Sequence, residues 1–419
     1  MAALAENILH LELKLGLRQR GRKQADKAKL QLALDCIAAN LIAMRWLAGG
    51  RPASALAVPR SNNTMWAASR YRPPVYGQPF LDVLSLLTRL GLISEGPRGY
   101  GFPNGDSRRS SVLITEAFNK CFPAAHFSLE AITRVEEPEV IVLKSPKGPD
   151  GRSEPIEYQD TAATKKMRQE VQAINGLLRA ASLRLSEGAR LQPTAAGQPI
   201  DPTRRSVRRV FNEGRFNAGG RLFGGYWMTM TKADRFRHLK IGTAVQPHGE
   251  PVASVDYGQL FPNLAYIGAG LQAPERDLYD VSGDGSCRDG WKTLINSLLF
   301  AIKPLRNWPR EALPAFPSGT KLKDALGRLK AYHAPIADQF GTGVGFKLMW
   351  LESRLLLATL SELAAIGVTA LPLHDAVLVA SSEAECAKAV MEKAFLQLTG
   401  STPARVSIDL GPAADHVGS

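Results

Sequence analysis

Apolar and polar positions along this chain follow two periods, and the changes from one to the other mark its organisation. Over the first 50 residues the apolar positions recur at helical spacing, from Leu11 to Leu17 and from Ala28 to Leu47. Residues 51–75, rich in Pro, Ser, Asn and Arg, read as a loop. Phe80 to Leu90 is an amphipathic helix ended by Gly91, Leu92 to Tyr100 a strand and turn, and Ser110 to Thr115 a returning strand. Glu139 to Leu143 is a short strand and Ser145 to Ser153 a polar turn. Thr161 to Leu185 then predicts a long helix, with Met167, Val171, Ile174, Leu177 and Leu178 on its apolar face.

Residues 186–203 are loop-like, and the remaining pattern mixes short apolar strands with helices. Pro251 to Val255 predicts a strand and Arg288 to Phe300 a helix. Leu348 to Ile366 predicts a long helix, opened by Glu352-Ser-Arg354, whose apolar face packs under the hairpin-like segment Ala370 to Val379. Glu383 to Leu398 reads as a further helix and Val406 to Leu410 as a final strand. The run Gly341-Thr-Gly-Val-Gly345 lacks the Gly-Lys-Ser/Thr of a Walker loop and reads as a flexible joint. The whole is an α+β chain.

Composition adds a partner class. The 419 residues are 45% hydrophobic and 22% charged, which suits two or three globular domains, and the net charge of +13 suits a polyanion, nucleic acid before membrane. The four cysteines (Cys36, Cys121, Cys287, Cys386) form no CxxC pair or zinc pattern, which points to a reduced, cytoplasmic setting. No apolar run reaches the roughly 20 residues of a membrane span, so no membrane partner is expected. The N-terminus does not read as a signal peptide.

The charge is not evenly spread. Seven Lys or Arg fall within the first 30 residues and ten between Arg204 and Lys240. In the second cluster, Phe211 to Met228 interleaves glycines with Arg215, Arg221 and aromatic rings. Close backbone approach, phosphate pairing and base stacking need those residue types together. Around Phe80 to Thr115, helix, strand, basic hairpin (Arg98, Arg108, Arg109) and strand resemble a winged helix, a nucleic-acid-binding shape.

Candidate chemistry centres on Asp256, delivered by an apolar strand to an exposed end, and Asp375, within an apolar hairpin. Lone carboxylates are costly to bury, so each calls for a partner. Two carboxylates on neighbouring strands are the minimum needed to hold the paired divalent cations of phosphodiester synthesis, and oxygen ligands suit Mg²⁺. Between them, Arg288, Lys292, Asn296 and Phe300 are spaced by four and share one helix face. Cations, then an amide, then a ring match a nucleoside triphosphate laid along that face. Leu294, Ile295, Leu298, Leu299 and Ile302 fill the other side.

These stretches carry a resemblance. Asp256-Tyr-Gly-Gln-Leu-Phe resembles motif A of the A-family DNA polymerases, Arg288-x3-Lys292-x7-Phe300 their motif B helix, and Leu373-His374-Asp375-Ala376 their motif C. Gln259-Leu-Phe-Pro262 and Lys292-x3-Asn296-Ser297 also resemble B-family forms. The resemblance covers about residues 211–410 and implies a right-hand polymerase with an antiparallel palm sheet, behind a mainly helical, winged-helix-like N-terminal region. The implied division is 1–125 for that region, 126–203 for a thumb-like part, 204–272 for the first palm part, 273–347 for the fingers and 348–419 for the second palm part.

Carried over residue by residue, Asp256 and Asp375 are metal ligands for two Mg²⁺ ions, with Mn²⁺ as substitute, and the Tyr257 carbonyl is a third ligand. Arg288 and Lys292 hold the triphosphate, Phe300 stacks near the nascent pair and Gln259 touches nucleotide or primer. His374 contacts the primer end, and Arg215, Arg221, Lys165 and Lys166 contact primer-template. Phe261 replaces the motif A glutamate and implies a gate against the 2′-hydroxyl, favouring deoxynucleotides. Ala376 replaces the motif C glutamate, as in single-subunit RNA polymerases. No Asp-x-Glu strand motif of a proofreading exonuclease is present. The expected partners are a DNA primer-template and nucleoside triphosphates. The expected function is a DNA-dependent DNA polymerase without proofreading. Its alternatives are an RNA polymerase or primase-like enzyme and a non-catalytic nucleic-acid-binding protein.

Overall fold

The computed structural model describes residues 2–412 except 17, 49–54, 102–106, 124–125, 128, 130–131, 136, 190, 195–196 and 403–404, and leaves the side chains of residues 2, 3, 100, 101, 107 and 108 undescribed. They form two compact units, Met1–Glu139 with Pro193–Arg204, and Val140–Gln192 with Arg205–Ser419.

The first unit runs α1 (Ala2–Lys14), α2 (Gln24–Leu47), β1 (Ala55–Ala57), α3 (Asn62–Met65), α4 (Gln78–Arg89), β2 (Ile93–Glu95), β3 (Tyr100–Gly101), β4 (Ser107–Arg108), β5 (Ser111–Ile114) and α5 (Glu116–Cys121). The stretch expected to be loop therefore holds a strand and a helical turn. β1 finds its ladder only by pairing with β5, more than 50 residues on, a partner no local pattern reveals. The three-stranded sheet has the order β1-β5-β2, and β3 and β4 form a separate hairpin. Arg98 and Arg109 are exposed beside that hairpin; the side chain of Arg108 lies outside the described residues.

Gln24–Leu47 is long and apolar enough to cross a bilayer by length and composition, contrary to the sequence expectation. Its Leu30, Leu34, Ile37 and Leu41 are buried with Phe80, Val83 and Leu87 of α4, which makes it a core helix. Buried Arg22 joins Glu12 of α1 to Asp82 of α4, the pairing that lets a guanidinium sit in a core.

The second unit begins with β6 (Ile141–Leu143), α6 (Ala162–Ala180) and β7 (Leu183–Leu185). The helix expected as far as Leu185 thus stops at Ala180, because Leu183–Leu185 pairs with a later strand. Thr161 caps α6 through a reciprocal bond with Thr164. β8 (Arg208–Phe211) and β9 (Gly219–Phe223) follow, so the Gly/Arg/aromatic segment is an ordered hairpin, and β8 pairs in parallel with β6.

Then come α7 (Lys232–His238), β10 (Leu239–Ile241), β11 (Glu250–Tyr257), α8 (Leu260–Gly268), α9 (Arg288–Phe300), α10 (Leu322–Tyr332), α11 (Gly345–Ala365), β12 (Leu371–Leu373), β13 (Ala376–Ala380), α12 (Ala384–Thr399) and β14 (Val406–Asp409). A six-stranded antiparallel sheet runs β12-β13-β11-β10-β7, with β14 also on β11. β11 is its centre: Val252, Ala253, Val255 and Tyr257 are all buried, as a strand covered on both faces requires. The long helix α11 packs against β9 and α12. Trp227, fully buried, donates its indole N–H to the Pro372 carbonyl at 2.8 Å and so pins β12.

The glycine run before α11 is not a free joint. Gly345 lies under Phe300, where an added Cβ would meet the ring at 2.7 Å, so glycine here serves close packing.

Candidate active site

The sheet brings together what the chain holds far apart. β11 carries Asp256 near its end, and Asp256 is registered opposite Ala376 at the start of β13. Asp375 is the residue before it, in the two-residue turn between β12 and β13. The two carboxylates therefore lie at the same end of adjacent elements, Asp256 near the end of β11 and Asp375 in the turn that leads into β13. Burial, joined by the nearby Asp256 charge, raises the Asp375 carboxyl above its usual range, against the pull of Arg221 and His374.

Both are held by backbone conformations that favour glycine. His374, the first turn residue, has φ 59°, and Gln259, just after β11, has φ 55°. Such strain persists where surrounding contacts over-determine it. For Gln259 that contact is visible: its side-chain oxygen accepts the Leu278 N–H at 2.6 Å, joining the end of β11 to the segment before α9.

On the other strand flank, Ser407 of β14 donates to Asp256 Oδ1 at 2.6 Å. Among the described residues no side chain donates to Oδ2 of Asp256 or to the Asp375 carboxyl, which accepts its own backbone N–H. Hard oxygen donors left open in this way fit a divalent cation. Two carboxylates are the whole set, since no group of three His, Cys, Asp or Glu gathers among the described residues.

α9 presents Arg288, Lys292, Asn296 and Phe300 on its less buried face, while Trp291, Leu294, Ile295, Leu298 and Leu299 are buried beneath. Ile302 lies past the helix end and is exposed rather than part of that packing. Arg288 is already paired: its Nε donates to Asp277 at 2.5 Å, which raises its pKa. For Asp277, burial works upward, but the Arg288 bond and backbone N–H donors hold the carboxyl below its usual range. Lys292 is exposed, with its ammonium 5.8 Å from the centre of the Tyr279 ring.

Of the six buried side-chain polar atoms without partners among the described residues, two belong to the candidate site, Asn296 Oδ1 and His374 Nδ1. Buried polar atoms are seldom left unpaired, so both mark room for a ligand's donors. Burial lowers the His374 pKa, with Arg221 adding to that effect.

Phe261, buried at the start of α8, meets Phe300 at 5.5 Å between ring centres and the Arg221 guanidinium at 5.5 Å. Arg221 itself, expected on primer or template, forks onto Glu352 of α11 with two bonds of 2.8 Å. Burial pushes the Glu352 carboxyl up to about 7, against the pull of Arg221. Lys165 and Lys166 are exposed on α6 and Arg215 is exposed in the β8–β9 turn; these three stand apart from the carboxylate cluster in sequence and in element.

Three residues of the cluster had no assigned role in the sequence. Ser407 carries no signal that separates it from any strand serine. Glu352 carries one, being an acid among Leu348, Leu355 and Leu356 on an otherwise apolar helix face. Tyr279 is buried within about 6 Å of both the Arg288 and Lys292 cations and is raised in pKa by burial and then by the Asp375 charge, which relates it to both halves of the site.

No protein-family model and no curated protein matches this chain. Among solved structures it is similar to the POL domain of Pol1 from M. smegmatis in complex with DNA primer-template and dNTP, at 10% identity and a TM-score of 0.30. The alignment covers 59% of this chain and 51% of that one, so the chain spans about half the length of the structure it matches. A likeness this faint carries no weight beside the geometry above.

Proposed function

We propose that this chain is a template-directed nucleotidyl transferase, a DNA-dependent DNA polymerase that extends a primer with deoxynucleoside triphosphates and has no proofreading activity. The observation that supports this reading is the register of β11 on β13, in which Asp256 faces Ala376, the residue after Asp375, and the Asp256 charge acts on the Asp375 carboxyl.

In this reading Asp256 and Asp375 hold Mg²⁺, with the Tyr257 carbonyl as a third ligand. Bound there, the ions supply Lewis-acid activation of the 3′-hydroxyl and charge neutralisation at the leaving pyrophosphate. Arg288 and Lys292 bind the triphosphate, Arg288 exchanging its Asp277 bond for a phosphate. Asn296 and Phe300 receive the nucleoside, and Phe261 excludes a 2′-hydroxyl. His374 sits at the primer end, with Gln259 between nucleotide and primer. The six-stranded sheet with α11 and α12 serves as palm, α9 and α10 as fingers and α6 as thumb. The order of α2, β1, α3, α4, β2, the β3–β4 hairpin and β5, with the sheet order β1-β5-β2, supports a winged-helix reading of the first unit.

Primer extension with Mg²⁺ tests the proposal. Wild-type protein extends a primed DNA template with dNTPs, and Asp256→Asn and Asp375→Asn each reduce the rate at least about a thousandfold. Extension that survives both substitutions refutes the site; template binding without any extension refutes the activity. Ala376, where the resembled family carries a glutamate, favours a second reading, an RNA-synthesising enzyme, which a preference for rNTPs establishes instead.

A further inference from the structure

The ring proposed to exclude the 2′-hydroxyl does not stand alone. Phe261 is buried and touches two groups, the Phe300 ring, edge-on to it, and the Arg221 guanidinium, each 5.5 Å from its ring centre. Phe300, half-buried, in turn meets Phe346 edge-on at 5.4 Å and lies close over Gly345, where a Cβ would meet its ring at 2.7 Å. On the other side, Arg221 is fixed by both nitrogens of its fork to Glu352, whose side chain is 1% exposed. A planar guanidinium held at two points keeps one orientation, and its face attracts an aromatic ring within about 6 Å.

The strand that carries Arg221 is fastened to the same helix. Arg209 donates from Nη2 to Ser353 Oγ at 3.0 Å and from Nε to the Gly220 carbonyl at 3.2 Å. Gly220 has φ 90°, and a Cβ there would strike Ser353 Oγ at 2.8 Å. β9 therefore lies against α11 with no slack where Arg221 leaves the backbone.

We infer that the Arg221–Glu352 pair is a positioning device for sugar selection. Glu352 on α11 orients Arg221, and Arg221 holds Phe261 against Phe300 in the place where it meets the nucleotide sugar. This rests on the polymerase reading above and adds to it a specificity role for two residues, one of which sequence reasoning placed on primer-template. Burial raises the Glu352 carboxyl and the Arg221 bonds pull it back, so the fork offsets part of the desolvation of that side chain.

The test compares steady-state kcat/KM for dNTP and rNTP incorporation on one primed template. The proteins are wild type, Arg221→Lys, Glu352→Gln, Phe261→Ala and the double variant Arg221→Lys/Phe261→Ala. Arg221→Lys keeps the charge but loses the fork and the flat face. Glu352→Gln keeps Arg221 and one acceptor oxygen but turns the other into an N–H donor, so it breaks the fork from the opposite partner, and circular dichroism of each variant separates a lost fork from a lost fold. Each single substitution at 221 or 352 is expected to lower the dNTP-to-rNTP ratio about tenfold, mainly through improved rNTP use. In the Phe261→Ala background, Arg221→Lys is expected to change the ratio less than twofold, because the ring it holds is gone. Equal loss of kcat/KM for both sugars, with the ratio unchanged, overturns the clamp and makes Arg221 a primer-template or folding residue. An additive effect in the double variant overturns it as well. Absence of extension by the wild type instead overturns the polymerase reading beneath it.

Discussion

His333 offers a pH test of how the segment before α9 is held. Its side chain has no solvent exposure, its Nε2 lies 3.0 Å from the Leu278 carbonyl and its Nδ1 lies 3.2 Å from the Tyr266 hydroxyl. A carbonyl only accepts, so Nε2 carries the proton and Nδ1 accepts from Tyr266. The neutral ring is thus fully satisfied. Burial lowers its pKa from 6.5 to about 4, against the Leu278 bond and with help from the Arg276 charge. The group is depressed in the folded state, so the unfolded chain binds the extra proton. Stability from this site is fully present above pH 6.5 and is lost as pH falls from there toward 4. The two values give a loss of about 2 kcal/mol between pH 7.5 and 5.0, of a full difference of about 3.4 kcal/mol.

Leu278 also donates to Gln259, so loosening it frees the link between β11 and α9. The assay is amide hydrogen exchange over residues 260–268 and 276–279 at both pH values, for wild type and His333→Gln. Taking the difference between the two proteins removes the contribution of other titrating groups. Wild type is expected to lose about 2 kcal/mol more local stability on acidification than the variant. Equal pH dependence in the two proteins, or a wild type more stable at pH 5.0, refutes the reasoning.

Further outcomes follow from the same geometry. Mg²⁺ at a hundred times its dissociation constant should stabilise the wild type by about 2.7 kcal/mol in thermal melts and leave Asp256→Asn unaffected; equal shifts in both would place the ion elsewhere. Without metal, Asp375→Asn should melt no lower than wild type, since it removes a desolvated charge beside Asp256, and a lower melting temperature would contradict that. Tyr257→Phe removes the buried bond from its hydroxyl to the Met391 carbonyl, 2.7 Å long, and should cost about 1–3 kcal/mol in urea unfolding. Gly345→Ala drives a methyl into the Phe300 ring and should cost about 1–3 kcal/mol with a raised KM for nucleotide; a neutral result would show that Phe300 has room to move.

Several elements were legible because their signal is local. The spacing of Arg288, Lys292, Asn296 and Phe300 places them on one face of α9 whatever surrounds it, and the apolar residues between them define the buried side. The strand before Asp256 and the hairpin around Asp375 show in their apolar runs, and so do α4, β2 and β5 of the first unit. Helix ends were less legible where a strand competes: Leu183–Leu185 fits the helical period but gains more by pairing with β10. β1 was read as loop because three residues carry too little pattern without their β5 partner.

What the sequence by itself determined is therefore most of the candidate residues and the local element that presents each one. Tertiary structure alone decided which of them meet. Asp256 and Asp375 become neighbours through the register of β11 on β13, Ser407 reaches Asp256 through β14, and Glu352 takes Arg221 from β9. Periodicity reports only which face of an element is buried. Register between distant strands is set by the packing of the whole sheet, and a buried charge chooses its partner only when that partner is folded against it.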